Sequence, residues 1–280
     1  MLLKPFALLF SAVFGPRSVS TSDGKRVSNA TVLTLFVVCI LLPAFLIFAL
    51  ARARSEARKT SCQSNIGQIG NVFREFTADQ SYFPELAAIP GVLMFRNESG
   101  GTPHLPPVYP EYLPEPRLLH CPGTDIDLPL GSDPVALIND HSYFYLGYAV
   151  MNDGQMQAFA EAYKQRLATG LPFDSDLDVA PGQGTGGGSK ILRLRLEVEG
   201  NTSAGVVDDT GHLSRNIQSQ IPILWDRNAH PPQLEGIASF FRMRSGITVL
   251  YLDGHREYKH FGEWPATVET MRILEELDSL

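Results

Sequence analysis

The sequence predicts an α+β protein in which a long N-terminal membrane-spanning helix packs on a C-terminal antiparallel sheet. Three observations carry this. Residues 27–51 contain no charged side chain. Downstream, Cys62, Ile66, Ile69, Phe73 and Phe76 recur at intervals of three and four, the signature of one buried helix face. Towards the C-terminus, apolar and polar residues alternate over 191–198, and Asp253-Gly254 separates two strand-like runs.

The charge-free run is 25 residues long. At about 1.5 Å per residue it exceeds a hydrocarbon core of roughly 30 Å. Apolar residues occupy every face of it, unlike a soluble helix with a single stripe. Pro43 is compatible, because transmembrane helices tolerate proline, and Cys39 reads as a small apolar packing residue. The chain thus divides into a cytoplasmic segment 1–26, a transmembrane helix 27–51 and an ectodomain 52–280.

The ectodomain is acidic. Residues 52–280 hold 29 Asp and Glu against 19 Lys and Arg, a net charge of −10, whereas residues 1–51 hold one acid and four bases. That balance argues against nucleic acid as a partner, since phosphate binding needs a clustered basic face. Arg52, Arg54, Arg58 and Lys59 are the exception, a basic cluster beside the membrane. Lys4, Arg17, Lys25 and Arg26 precede the span, so charge alone gives no orientation. Residues 5–14 behind Lys4 resemble a signal-peptide core without a small-x-small cleavage site. Were that segment cleaved, the span would become a stop-transfer helix and the domain would remain cytoplasmic. Cys62 and Cys121 form an even pair in the soluble part, which suits one disulfide in an oxidising compartment and nearly as well two buried thiols.

The elements follow in order. The helix runs past the span and stops near residues 79–81, before Pro84. Residues 84–140, with Pro103, Pro106, Pro107, Pro110, Pro114 and Pro116, read as loops laid over the surface. A short helix is expected over 152–169, capped by Asn152 or Asp153, with Met156, Phe159, Tyr163 and Leu167 on its inner side. Five glycines over 181–189 predict a flexible, exposed connection. In 191–198, Leu192, Leu194, Leu196 and Val198 predict a buried face, and Arg193, Arg195 and Glu197 a wet one. Residues 221–225 read as a second strand, and 247–252 with 255–261 as a hairpin closed by a two-residue type I′ turn, Asp253-Gly254. A last helix from Pro265 places Val268, Met271, Leu274 and Leu277 inward.

These residues carry a resemblance. The stretch ALARARSEARKTSCQSNIGQIG, 49–70, is similar to the helix that follows the membrane anchor in pilin-like proteins of the type II secretion pseudopilin kind, especially those of planctomycete-type bacteria. Tyr82-Phe83-Pro84 resembles that family's exit from the helix, His120-Cys121-Pro122 its cysteine-proline motif, and the segment 249–255, VLYLDGH, its C-terminal hairpin. The likeness covers roughly 27–84 and 220–264. It implies a bacterial, extracytoplasmic, pilin-like α+β domain, with other pilin-like subunits or secretion components as partners. Three positions depart from the pattern. Arg26 stands where the prepilin glycine would be, Thr31 where the glutamate of the hydrophobic run would be, and Met243 where a histidine precedes Asp-Gly. The resemblance therefore does not carry prepilin processing or filament assembly to this chain.

Catalytic signals are thin. His212, His230, His255 and His260 accompany Asp208, Asp209, Asp226 and Asp253, but no His-x-x-x-His spacing occurs, and His255 and His260 lie five apart on an expected strand. Asp174, Asp176 and Asp178 alternate like the first ligands of a calcium loop, yet Val179 and Thr185 occupy the positions of its glycine and glutamate. The glycine-rich stretch lacks a phosphate-loop Lys-Ser/Thr, and no Gly-x-Ser-x-Gly elbow occurs. Asn97-Glu98-Ser99 and Asn201-Thr202-Ser203 match the glycosylation pattern, which a bacterial chain would not use. Tyr143, Phe144, Tyr145 and Tyr148 read as sheet core in preference to a recognition platform, and Trp225 and Trp264 as covers for the hairpin's outer side.

The expectation is a non-enzymatic, single-pass membrane protein without cofactor, acting as a structural or interaction component. The alternative is a membrane-anchored metal-dependent hydrolase built from the C-terminal His and Asp residues. Asp253 and Gly254, which set the hairpin register, and Cys62 and Cys121 are the structural candidates.

Overall fold

A computed structural model describes residues 29–97, 107–121, 137–195, 217–227 and 246–280. The expectations for segment 1–26, for 196–198, and for Asp208, Asp209, His212, His230 and Met243 fall outside these residues. The chain divides into two units, Met1–Arg54 and Ser55–Leu280.

Helix α1, Asn29–Gln80, runs through the boundary and contains Pro43. In the first unit its described side chains from Phe36 to Leu50 are almost all exposed, with Phe45 at 70% and Ile47 at 69%. So much exposed apolar surface among the described side chains is what a soluble fold avoids. Among the described residues α1 is the one helix long and apolar enough to cross a membrane.

In the second unit the same helix has a buried stripe. Cys62, Ile66, Ile69, Phe73 and Phe76 are all buried, joined by Val72 and Thr77. The helix ends at Ser81, whose N–H donates to the Thr77 carbonyl at 2.8 Å and whose φ of 64° is the left-handed stop usually given to glycine.

A four-stranded antiparallel sheet lies against that stripe. Its strands are β1 (Tyr143–Tyr145), β4 (Pro222–Asp226), β5 (Gly246–Tyr251) and β6 (Arg256–His260), in the order β1-β4-β5-β6. Pro222 begins β4 beside a register shift between Pro222 and Leu224, where a residue without an N–H does least harm. Gly70 lets Leu250 of β5 approach the helix closely, since a Cβ there would lie 3.1 Å from the leucine's Cδ1. Two short strands, β2 (Leu177–Asp178) and β3 (Lys190–Ile191), pair separately.

Helix α2, Asp153–Thr169, is capped by the Asn152 side chain, which accepts from Gln155 N–H at 2.9 Å, and closes on Gly170 at φ 67°. Met156, Phe159 and Tyr163 are buried, and Leu167 is half-buried. Helix α3, Val268–Asp278, is capped by Thr267. It packs on α2 through Asp153, which accepts from Thr267 and, at 2.8 Å, from Thr270, and through a Lys164–Glu276 ion pair. The described part is thus an α+β arrangement.

Five expectations about the elements and their burial change. The strand 191–198 shrinks among the described residues to Lys190–Ile191 and two isolated bridges, Tyr148 with Arg193 and Tyr82 with Arg195. Arg193 is 4% exposed instead of wet, because the Phe83 backbone and Asp174 close over it. The glycine-rich loop is mostly exposed, as expected, but it folds around Gly184 and Thr185. Buried Thr185 donates to the Ala149 carbonyl at 2.7 Å and accepts from Leu192 N–H at 3.1 Å, and a Cβ on Gly184 would meet the Lys190 backbone at 2.4 Å. Val268 is 67% exposed because it is the first residue of α3, before the inner face begins, while Leu274 and Leu277 are fully buried. Trp225 lies within central strand β4, paired with Phe144 of β1 and Val249 of β5, and not on the hairpin's outer side.

Candidate functional site

The face of α1 in the second unit is where the candidate residues meet. Phe73 sits in an aromatic group with Phe83, Phe95 and Tyr145 at centroid distances of 6.2, 5.8 and 5.1 Å. The Tyr145 hydroxyl donates to the Pro84 carbonyl at 2.7 Å. Burial raises the phenol of Tyr145 well above its usual range, so the ring stays neutral and serves as packing.

The segment 107–121 runs along α1 and is fastened at both ends. Near the helix C-terminus, Tyr112 donates to Asp79 at 3.1 Å, accepts from Gln80 at 3.2 Å and meets Phe76 edge-on at 5.1 Å. At the other end Asn65 donates to the His120 carbonyl at 2.9 Å, and Cys62 is disulfide-bonded to Cys121 with a Cα separation of 5.1 Å. The proline-rich segment therefore returns across the helix, and both cysteines are buried.

The hairpin turn differs from expectation. Gly254 N–H donates to the Tyr251 carbonyl at 2.8 Å and Tyr251 N–H to the His255 carbonyl at 3.0 Å, leaving Leu252, Asp253 and Gly254 as a three-residue loop. Only Gly254 of this loop takes positive φ, 86°. A type I′ turn would need two such residues; Asp-Gly also suits the three-residue class, with glycine in the left-handed position. Asp253 accepts from the backbone N–H of His255 at 3.0 Å and from its ring at 2.5 Å, while the imidazole stacks on Tyr251 at 4.4 Å. Both residues thus serve the turn. Gly254 also abuts Arg74, whose Nη2 would lie 2.5 Å from an added Cβ. Gly254→Val combines a β-branched residue at positive φ with that collision and should cost about 2 kcal/mol. Thermal melting checks it: a fall of several degrees is expected, and Gly254→Asn should recover part of it.

The recess beside this turn, lined in part by Gly70, Arg74, Thr77, Leu250 and Gly254, measures about 20 Å³. It has room for a single water and for no organic substrate.

Asp174, Asp176 and Asp178 do not converge. Asp174 faces Arg166 at 3.9 Å, Asp176 pairs with Arg195 at 2.9 Å and accepts Arg193 N–H at 2.9 Å, and Asp178 faces Lys190 at 3.7 Å. Carboxylates each turned to a different cation make no calcium cradle. His260 packs against Tyr258, apart from His255, and Asp226 accepts Thr248 N–H at 3.0 Å inside the sheet. Among the described residues no group of three or more His, Cys, Asp and Glu side chains could hold a metal ion.

Arg193 is the residue the alternating pattern concealed. Its guanidinium donates to the Asp174 carbonyl at 2.7 Å and the Phe83 carbonyl at 3.2 Å and lies 3.9 Å from buried Glu85, which faces Arg96 at 3.6 Å on its other side. Tyr82, exposed, lies beneath Arg193 and Arg195 at 4.9 and 5.6 Å. The cluster locks the exit of α1 to residues 174–195. Nothing in a single sequence pairs residue 85 with residue 193.

No family model, no curated protein and no solved structure matches this chain.

Proposed function

We propose that this chain is a single-pass membrane protein of the pilin-like, pseudopilin-like kind, with its α+β domain outside the cytoplasm, acting without catalysis as a structural or interaction component of a secretion or surface-assembly system. One observation carries the reading. A single helix changes environment along its length, with exposed apolar side chains, among those described, between Phe36 and Leu50 and a buried stripe from Cys62 to Phe76. The first half matches lipid as solvent and the second a protein core. The Cys62–Cys121 bond supports the oxidising side of the membrane. Partners would be lipid and other pilin-like subunits or secretion components, with no nucleic acid.

Fractionation of cells expressing the full chain tests this. The protein should stay in the membrane pellet through alkaline carbonate, a periplasm-active reporter fused after Leu280 should be active, and reduction should shift gel mobility. An intact chain recovered in the soluble fraction would overturn the anchor, and a reporter active only inside the cell would overturn the orientation.

A further inference from the structure

We infer that Arg52 and Arg54 form a binding surface for the phosphates of anionic phospholipids. The inference rests on the membrane reading and deepens it by naming the lipid chemistry that the anchor selects. Both arginines lie in the first unit, within four residues of the exposed apolar Leu50, on unbroken helix. Both side chains are exposed, and neither makes a hydrogen bond or ion pair among the described residues. Arg58 and Arg74, in the second unit, are likewise exposed with no carboxylate within 4 Å among the described residues; what sets Arg52 and Arg54 apart is their place directly after the exposed apolar run.

Helical geometry puts the two guanidiniums about 200° apart around the axis and about 3 Å apart along it. They therefore reach outward on opposite sides at one depth, as an encircling headgroup layer requires. Guanidinium meets phosphate through two parallel N–H donors and is weakly hydrated, so it suits a site at the edge of lipid.

The test uses the full chain reconstituted in phosphatidylcholine bilayers containing one tenth phosphatidylglycerol. The protein is then extracted in mild detergent, and the retained lipid is measured by mass spectrometry. Wild type should retain phosphatidylglycerol above its bulk share, and Arg52→Gln/Arg54→Gln should lower the enrichment at least about fivefold. Arg74→Gln, in the second unit, should leave it unchanged. Equal enrichment in wild type and the double variant, or none in wild type, overturns the inference while leaving the anchor intact. Failure of wild type to enter bilayers of pure phosphatidylcholine overturns the membrane reading and this inference together.

Discussion

Phe73→Ala should lower the stability of the folded domain by about 3–5 kcal/mol, the usual cost of removing a buried aromatic ring. Phe73 is 1% exposed and touches three rings from three separate stretches, Phe83, Phe95 and Tyr145. Those partners are themselves held by backbone bonds, such as Tyr145 to Pro84, so they cannot easily collapse into the vacated space. In a domain of this size the loss corresponds to a fall of about 10 °C or more in melting temperature. Differential scanning calorimetry of the detergent-solubilised chain checks it. A shift under about 3 °C would mean that the helix stripe does not organise the core. Phe73→Leu should cost far less, because it keeps most of the volume.

Arg193→Ala is expected to cost about 3–5 kcal/mol, through the loss of a buried ion pair and two hydrogen bonds to carbonyls. The Asp174 and Phe83 carbonyls would lose their charged donor, and Glu85 would keep only Arg96 of its two flanking arginines. Adding Glu85→Gln to Arg193→Ala should return part of the loss, because a neutral amide no longer has to be neutralised in a buried place. Urea melts of the single and double variants measure the coupling. Strict additivity would show that the two side chains do not interact.

How much of this was legible in the sequence depended on whether neighbours in sequence were neighbours in space. The α1 stripe, a cap at Asn152 or Asp153 and the inner residues Leu274 and Leu277 could be read directly, since helix periodicity and capping are local. Tyr143, Phe144 and Tyr145 could be read as sheet core, but the bounds of their strand β1 could not, because all three are buried and no alternation marks them. Arg193 and Arg195 alternate with leucines as a two-faced strand would. The strand nonetheless stops at Ile191, and the side expected to be wet is covered by residues 83–85 and 174–176. The glycine run was misleading for a related reason. Its glycines permit a tight fold around Gly184, and Thr185 fastens that fold to Ala149 and Leu192. Asp253-Gly254 announced a hairpin but served two loop classes equally, and only the Tyr251 and His255 backbone bonds separate them. The pairing of Cys62 with Cys121 rests on the path of 107–121 along the helix, to which composition is blind.

That cross-link also governs how the domain would yield to tension. Cys62 and Cys121 are 59 positions apart, so a pull applied at the two chain ends bypasses everything between them. About 200 Å of potential extension stays locked until the bond is reduced. The stripe residues from Ile66 to Phe76 all lie inside the locked stretch. A tug arriving along α1 would therefore reach a covalent stop at Cys62 before it could unravel the helix lying on the sheet.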